Sequence, residues 1–294
     1  MSWTHRASAR RTSLLAVAVL TAALPVGAVA GPLSAASAFA VAPATVSCPG
    51  PTPAPIRLRD FNGDGRTDFA VFRPSTGVWY VSGLPAVQYG ANGDIPVAAD
   101  YNGDGRTDLA VFRPSNGTWY IRGVGKIQYG QAGDVPMEGN YTGTSHLQLA
   151  VFRPSNGVWY IRGFGVVQWG ECGDLPVAIN APTGSKLVPA VFRPSTGIWY
   201  VKGVKPVQYG TSGDIPVSHR YVGTTEQLAV FRPSNSTWYI RGVGAIAFGV
   251  TGDLPAPGNY GGGNHIATFR PSDGTWNVRN GPTVQWGTDG DIPV

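Results

Sequence analysis

The stretch that decides the fold is Asp100 to Gly123, DYNGDGRTDLAVFRPSNGTWYIRG. It opens with a carboxylate-rich loop and runs directly into a strand-like stretch that ends on an aromatic pair. The Phe-Arg-Pro phrase inside it occurs six times, with Arg73, Arg113, Arg153, Arg193, Arg232 and Arg270 spaced by 40, 40, 40, 39 and 38 residues. A fixed period of this size marks a repeat architecture, in which each unit buries its apolar faces against its neighbours. Six positions after each arginine stands a tryptophan: Trp79, Trp119, Trp159, Trp199, Trp238 and Trp276. Each unit also carries a Gly-Asp-aliphatic-Pro phrase, at Asp94, Asp134, Asp174, Asp214, Asp253 and Asp291.

Within a unit the hydrophobic residues never hold a helical period, and Gly or Pro interrupts every run within about 8 residues, which favours short strands. Four are expected, shown by the second unit: residues 94–101, 107–113, 117–123 and 126–130. Between the middle two, Pro114-Ser115-Asn116-Gly117 suits a tight hairpin, because proline presets φ and Asn-Gly tolerates positive φ. Both faces of these strands carry apolar or aromatic side chains, as in a sheet packed between two others. The expected fold class is all-β: a β-propeller of six four-stranded blades of roughly 40 residues, with a seven-bladed ring or an open β-repeat array as alternatives. Closure is favoured because Gly290 to Val294 repeats the phrase that opens a unit, in phase with a first strand expected near Pro55 to Leu58.

The repeated residues have structural readings. The tryptophans are expected in the cores between blades, since large aromatics dominate burial. The arginine and the Gly-Asp aspartate occur once each per unit, which suits an ion pair or an arginine-to-carbonyl clamp, within a blade or between neighbours.

Composition agrees with a packed chain: of 294 residues, 43% are hydrophobic and 13% charged, too apolar for disorder. The 41 glycines and 25 prolines fall at regular intervals, as turn punctuation does. Three of the 22 basic residues, Arg6, Arg10 and Arg11, lie at the N-terminus, leaving 19 against 17 acidic ones and no basic stripe for nucleic acid. Those arginines precede the apolar run LLAVAVLTAALPVGAVA and small-residue sites at Ala28-Val29-Ala30 and Ala38-Phe39-Ala40, the pattern of a cleaved export signal over residues 1–40. A permanent membrane span is the weaker reading, because Pro25, Gly27 and Gly31 interrupt the run. Residues 41–54 then form a linker and 55–294 the repeat domain. Export would place Cys48 and Cys172 in an oxidising compartment, where they either pair or remain separate thiols.

The acidic loops carry the chemistry. Asp60, Asn62, Asp64 and Asp68, and again Asp100, Asn102, Asp104 and Asp108, set oxygen ligands at loop positions 1, 3, 5 and 9. Gly65 and Gly105, at position 6, permit the sharp turn that brings the position-7 carbonyls of Arg66 and Arg106 toward the same ion. Closely spaced hard oxygens suit Ca2+, which takes about 6 to 8 of them, whereas zinc and copper would want Cys or His. Val71 and Val111 stand at position 12, where an EF-hand needs glutamate, and a strand follows instead of a helix. The bland alternative is a metal-free Asp-Gly turn.

The motif DxNxDGxxD entering a strand within a blade-sized unit resembles the FG-GAP/VCBS repeats of secreted bacterial proteins, related to the integrin α-subunit propeller. The resemblance covers residues 55–294 and implies two calcium sites: Asp60, Asn62, Asp64, Asp68 and the Arg66 carbonyl, then Asp100, Asn102, Asp104, Asp108 and the Arg106 carbonyl. The later loops depart from it. Asn140, Thr142, Thr144 and Gln148 carry no charge, the fourth loop has Asn180 and Val188, the fifth is shortened near Arg220 to Gln227, and the sixth runs from Asn259 to Asn264. No calcium is expected in those four.

No catalytic constellation is present in the sequence: His5, His146, His219 and His265 are isolated, and no HExxH, GxSxG or phosphate loop occurs. The expected function is a secreted, calcium-stabilised binding module for carbohydrate or an extracellular protein, as the resemblance implies, with no enzymatic activity. Tyr89, Tyr129, Trp169, Tyr209 and Trp286 are candidate sugar platforms, with core packing the favoured role. A purely structural extracellular brace is the alternative.

Overall fold

Each Phe-Arg-Pro and Trp-Tyr phrase becomes an antiparallel strand pair, because β-branched and aromatic side chains fit a pleated surface packed on both faces. The computed structural model describes residues 59–294, apart from residues 145, 182–185 and 264. Six four-stranded antiparallel sheets result, with no helix among the described residues. Blade 2 shows the pattern: an opening strand Ile95–Pro96, then Ala110–Arg113, Thr118–Ile121 and a closing strand Gly125–Gln128. Blades 3 to 6 are built alike, opening at Val135–Pro136, Leu175–Asn180, Ile215–Pro216 and Leu254–Pro255.

Blade 1 is assembled from distant parts of the chain. Its strands Ala70–Arg73, Val78–Val81 and Val87–Gln88 take Ile292–Pro293 as their opening strand, with Phe72 opposite Ile292 and Val71 opposite Pro293. This pairing closes the ring, so the repeat is a six-bladed propeller.

One cross-strand pair recurs in every blade. Phe72 faces Trp79, Phe112 faces Trp119, and Phe152, Phe192, Phe231 and Phe269 face Trp159, Trp199, Trp238 and Trp276. Their rings lie 5.1 to 5.5 Å apart in tilted contact, and all twelve are buried. Each indole N–H donates to a backbone carbonyl ten residues on, such as Trp119 Nε1 to Tyr129 O at 2.8 Å, so all six buried indole donors are paired. In blades 1 to 5 the opposite face of the sheet presents the valine and tyrosine of the same strands to the preceding blade, and in blade 6 Thr268 and Asn277 take their places. Val111 and Tyr120 of blade 2 pack on the blade 1 core, and Val71 and Tyr80 of blade 1 pack on the blade 6 core, completing the circle.

The arginines and aspartates form ion pairs within each sheet. Asp94, in the turn that precedes the opening strand, receives Arg113 Nε at 2.8 Å on one oxygen and Nη2 at 2.9 Å on the other, and the guanidinium lies 4.5 Å over the Tyr120 ring. The same bidentate pair occurs in all six blades, with the aspartate side chains buried. The hydrogen bond each arginine donates to its aspartate raises the arginine's pKa above its ordinary value.

Since strands alternate in direction, connections fall on two ends of the ring. One end holds the ion pairs and the Pro-Ser hairpins. The other holds the loops between opening and second strands, which include the acidic loops, and the hairpins between third and closing strands.

Two expectations are adjusted. The strands are shorter than expected, since beyond Pro96 the ladder continues only through Val97 N to Ala110 O and an isolated bridge between Ala99 and Asp108. The chain bends there into the acidic loop. Blade 1's opening strand comes from Ile292–Pro293, while the segment near Pro55 to Leu58 lies outside the described residues, as do residues 1–40, the linker and Cys48. Cys172 is not free but held in a disulfide.

Candidate metal centre

The first acidic loop leads into Ala70–Arg73, and the second joins Ile95–Pro96 to Ala110–Arg113. Each is coiled around its first carboxylate. Asp60 Oδ1 accepts from Gly63 N at 2.6 Å and Asp64 N at 3.1 Å, and Oδ2 accepts from Gly65 N at 2.8 Å. Asp68, at the loop's end, reaches back to take Phe61 N at 2.7 Å and the Asn62 side-chain amide at 2.8 Å. Gly65 and Gly105 sit at φ 81° and 86°, which is the left-handed turn expected of position 6.

The second loop repeats this closely. Asp100 takes Gly103 N at 2.6 Å, Asp104 N at 3.1 Å and Gly105 N at 2.9 Å, while Asp108 takes Tyr101 N at 2.9 Å. Burial pushes the carboxyls of Asp68 and Asp108 above their ordinary value. Backbone N–H groups oppose that shift, and the nearby carboxylates, Asp60 and Asp64 or Asp104 and Asp100, add to it. Like charges are therefore concentrated in a partly desolvated turn.

The third and fifth loops show what the turn itself requires. Gln148 Oε1 accepts from Tyr141 N at 2.7 Å and Thr142 N at 3.0 Å, the bonds Asp108 makes to Tyr101 and Asn102. Asn140 Oδ1 takes Gly143 N at 2.7 Å as Asp100 takes Gly103. In the fifth loop Gln227 Oε1 accepts from Tyr221 and Val222. A neutral amide thus holds the same turn, so the charge in the first two loops exceeds what folding asks. The fourth loop abandons the arrangement for a longer strand pair, Asn180 opposite Leu187.

The loops also tie the blades together, a role not read from the sequence. Thr107 N of the second loop donates to Asp60 O of the first at 2.8 Å, and Thr67 N of the first donates to Asn259 O of the sixth at 2.6 Å. Arg106 lies against Gly63, where an added Cβ would meet its Cγ at 3.0 Å, and Arg66 lies against Gly261, where an added Cβ would meet its guanidinium Nη1 at 3.3 Å. The position-7 side chains lean over the preceding loop. The regular spacing contained this signal, since equal positions of successive units become neighbours once the ring closes.

The donor set suits a hard cation. A carboxylate offers about four lone-pair sites, so Asp60 and Asp68 keep acceptor capacity after their N–H bonds, and the Asp64 and Asp104 carboxylates keep more. As they stand, these oxygens are turned to backbone donors, and among the described residues no three acidic, His or Cys side chains converge on a common point suited to a metal ion. A bound cation would draw in the carbonyls of Arg66 and Arg106, the ligand type that makes up a calcium shell.

The other candidate residues are dispersed. Tyr89, Tyr129, Trp169, Tyr209 and Trp286 are half-buried and pack into the inter-blade cores, with Trp169 and Trp286 also donating to Tyr200 O and Tyr80 O of the next blade. His146, His219 and His265 sit in three separate loops.

Residues 60–111 match the FG-GAP-like repeat family and residues 92–147 the FG-GAP repeat family. No curated protein matches this sequence. Both family matches fall on the acidic loops and the first blades, and the same unit continues around the ring. The chain carries FG-GAP and FG-GAP-like repeats, and they form a β-propeller.

Proposed function

We propose that this propeller is a secreted, non-catalytic binding module in which the two acidic loops take Ca2+ as structural staples. The observation that carries the calcium reading is the comparison between loops: Gln148 and Gln227 hold the turn without charge, whereas the first two loops spend three aspartates each on it. Asp60, Asn62, Asp64, Asp68 and the Arg66 carbonyl would hold one ion, and Asp100, Asn102, Asp104, Asp108 and the Arg106 carbonyl the other. A cation there supplies the charge that relieves repulsion among the aspartates. Because the first loop bonds to the sixth and the second to the first, the staples would brace the two joints of the blade that closes the ring.

Absence of catalysis is supported by the fate of the ionisable groups. The aspartates outside the loops that are buried are engaged by arginines, and the histidines are apart. Export is supported by the sequence of residues 1–40 and by the disulfide at Cys172. The ligand class is carbohydrate or an extracellular protein. The brace reading has its own support, because the aromatic candidates for sugar stacking are partly consumed in the joints.

Calorimetric titration with calcium tests the site assignment. Two ions should bind the protein, one should bind Asp64→Asn and Asp104→Asn alike, and none the double variant. Unchanged stoichiometry in the variants, or no binding to the parent, would remove it. A glycan array separates module from brace, since a brace gives no saturable signal.

A further inference from the structure

The hairpins between third and closing strands share an unusual tip. In five blades a tight turn, held by an i to i+3 backbone bond such as Val124 N to Ile121 O at 3.1 Å, ends on an exposed apolar residue. These are Leu84, Val124, Phe164, Val204 and Val243, from 36% to 49% exposed. The turn does not need them. Blade 6 makes it with Gly281 in the same place, Gly281 N to Val278 O at 3.0 Å.

Beside the tips stand cations. Arg122, Arg162, Lys202 and Arg241 precede four of the apolar tips by two residues, and Arg279 occupies the equivalent place in blade 6. All five are exposed, and none pairs with a carboxylate among the described residues. Topology puts every one of these hairpins on the same end of the ring, at the rim, with the acidic loops inboard of them.

We infer that this rim docks on an anionic lipid bilayer surface, with the apolar tips entering the interfacial layer and the cations meeting lipid phosphates. Points spread around a ring are engaged together only by something broad and flat, and weak contacts then multiply. Apolar side chains set among basic ones match a layer that is charged outside and apolar beneath, while nucleic acid or a soluble polyanion would use the cations and leave the tips in water.

Vesicle flotation tests this, in calcium so that repulsion from the acidic loops is minimised. The probes are phosphatidylcholine vesicles, the same with about one-third phosphatidylglycerol, and heparin as a soluble polyanion. The protein should float with anionic vesicles and not with phosphatidylcholine alone. The variant Val124→Ser/Phe164→Ser/Val243→Ser should lose about tenfold or more in affinity for those vesicles while keeping its melting temperature, and Arg122→Gln/Arg162→Gln/Arg241→Gln should do the same. No flotation with anionic vesicles overturns the inference. So does equal flotation of the serine variant, particularly if heparin competes fully, because attraction is then charge alone.

Discussion

Arg73 and Asp291 stand 218 residues apart in sequence and meet in a bidentate ion pair, Nε to Oδ1 at 2.8 Å and Nη2 to Oδ2 at 2.9 Å. The guanidinium also lies 4.4 Å over the Tyr80 ring. The same device ties Arg113 to Asp94 across 19 residues. In blade 1 it locks the strand that closes the ring, so one repeated contact serves local packing in five blades and global closure in the sixth.

Asp291→Ala should therefore destabilise by about 2–3 kcal/mol, the scale of lost charge-assisted bonds to a buried group. Asp94→Ala should cost less, because its partner strand is held in a short loop while the closing pair restrains a long one. Chemical denaturation of both variants checks the order.

Trp119→Ala should cost about 3–5 kcal/mol, since it empties the joint between blades 2 and 3 and orphans the Tyr129 carbonyl. Thermal unfolding of the variant reads this directly.

At the tip of the Pro-Ser hairpin, Gly117 has φ 65°, and an added Cβ would lie 2.2 Å from the Gly130 carbonyl carbon. Gly117→Ala should destabilise by more than about 1 kcal/mol. Blade 5 carries Ser236 at this position with φ 50°, so Ser236→Gly should be neutral or stabilising by up to about 1 kcal/mol. A lower melting temperature for Gly117→Ala and an equal or higher one for Ser236→Gly check this.

Alkaline titration has a definite sign. Burial raises the phenols of Tyr221 and Tyr260 well above the ordinary 10.0. The folded state holds these protons more tightly than the unfolded one, so stability is full below pH 10 and declines as pH climbs from there toward the buried values. Phenolate absorbance of these two residues should appear with unfolding and not before it; a phenolate component that appears below the unfolding transition and is lost in Tyr221→Phe would contradict their burial.

Much of the fold was legible because period, tryptophan and aspartate repeat in fixed phase, and Phe112, Trp119 and Asp94 do what their spacing implies. The partner of each arginine was not, since a residue that recurs every unit has one candidate on either side. Strand ends were overestimated where Val97 to Ala99 bend away from the sheet while still looking apolar. In the candidate site the ligand-type residues were legible one by one. The bond from Thr67 to Asn259 was not, because it exists only between units that ring closure makes adjacent. The equivalence of Gln148 and Asp108 was also hidden, since loss of charge reads as loss of the motif although the turn persists.

The most direct test of the central claim is a calorimetric melt of the protein with calcium and with excess chelator, alongside metal content. Two bound ions and a melting temperature several degrees higher in calcium, as mass action predicts for binding to the folded state, would establish the acidic loops as staples of the closing blade. Identical melts with no bound metal would contradict it, leaving a propeller closed by its ion pairs and aromatic joints alone.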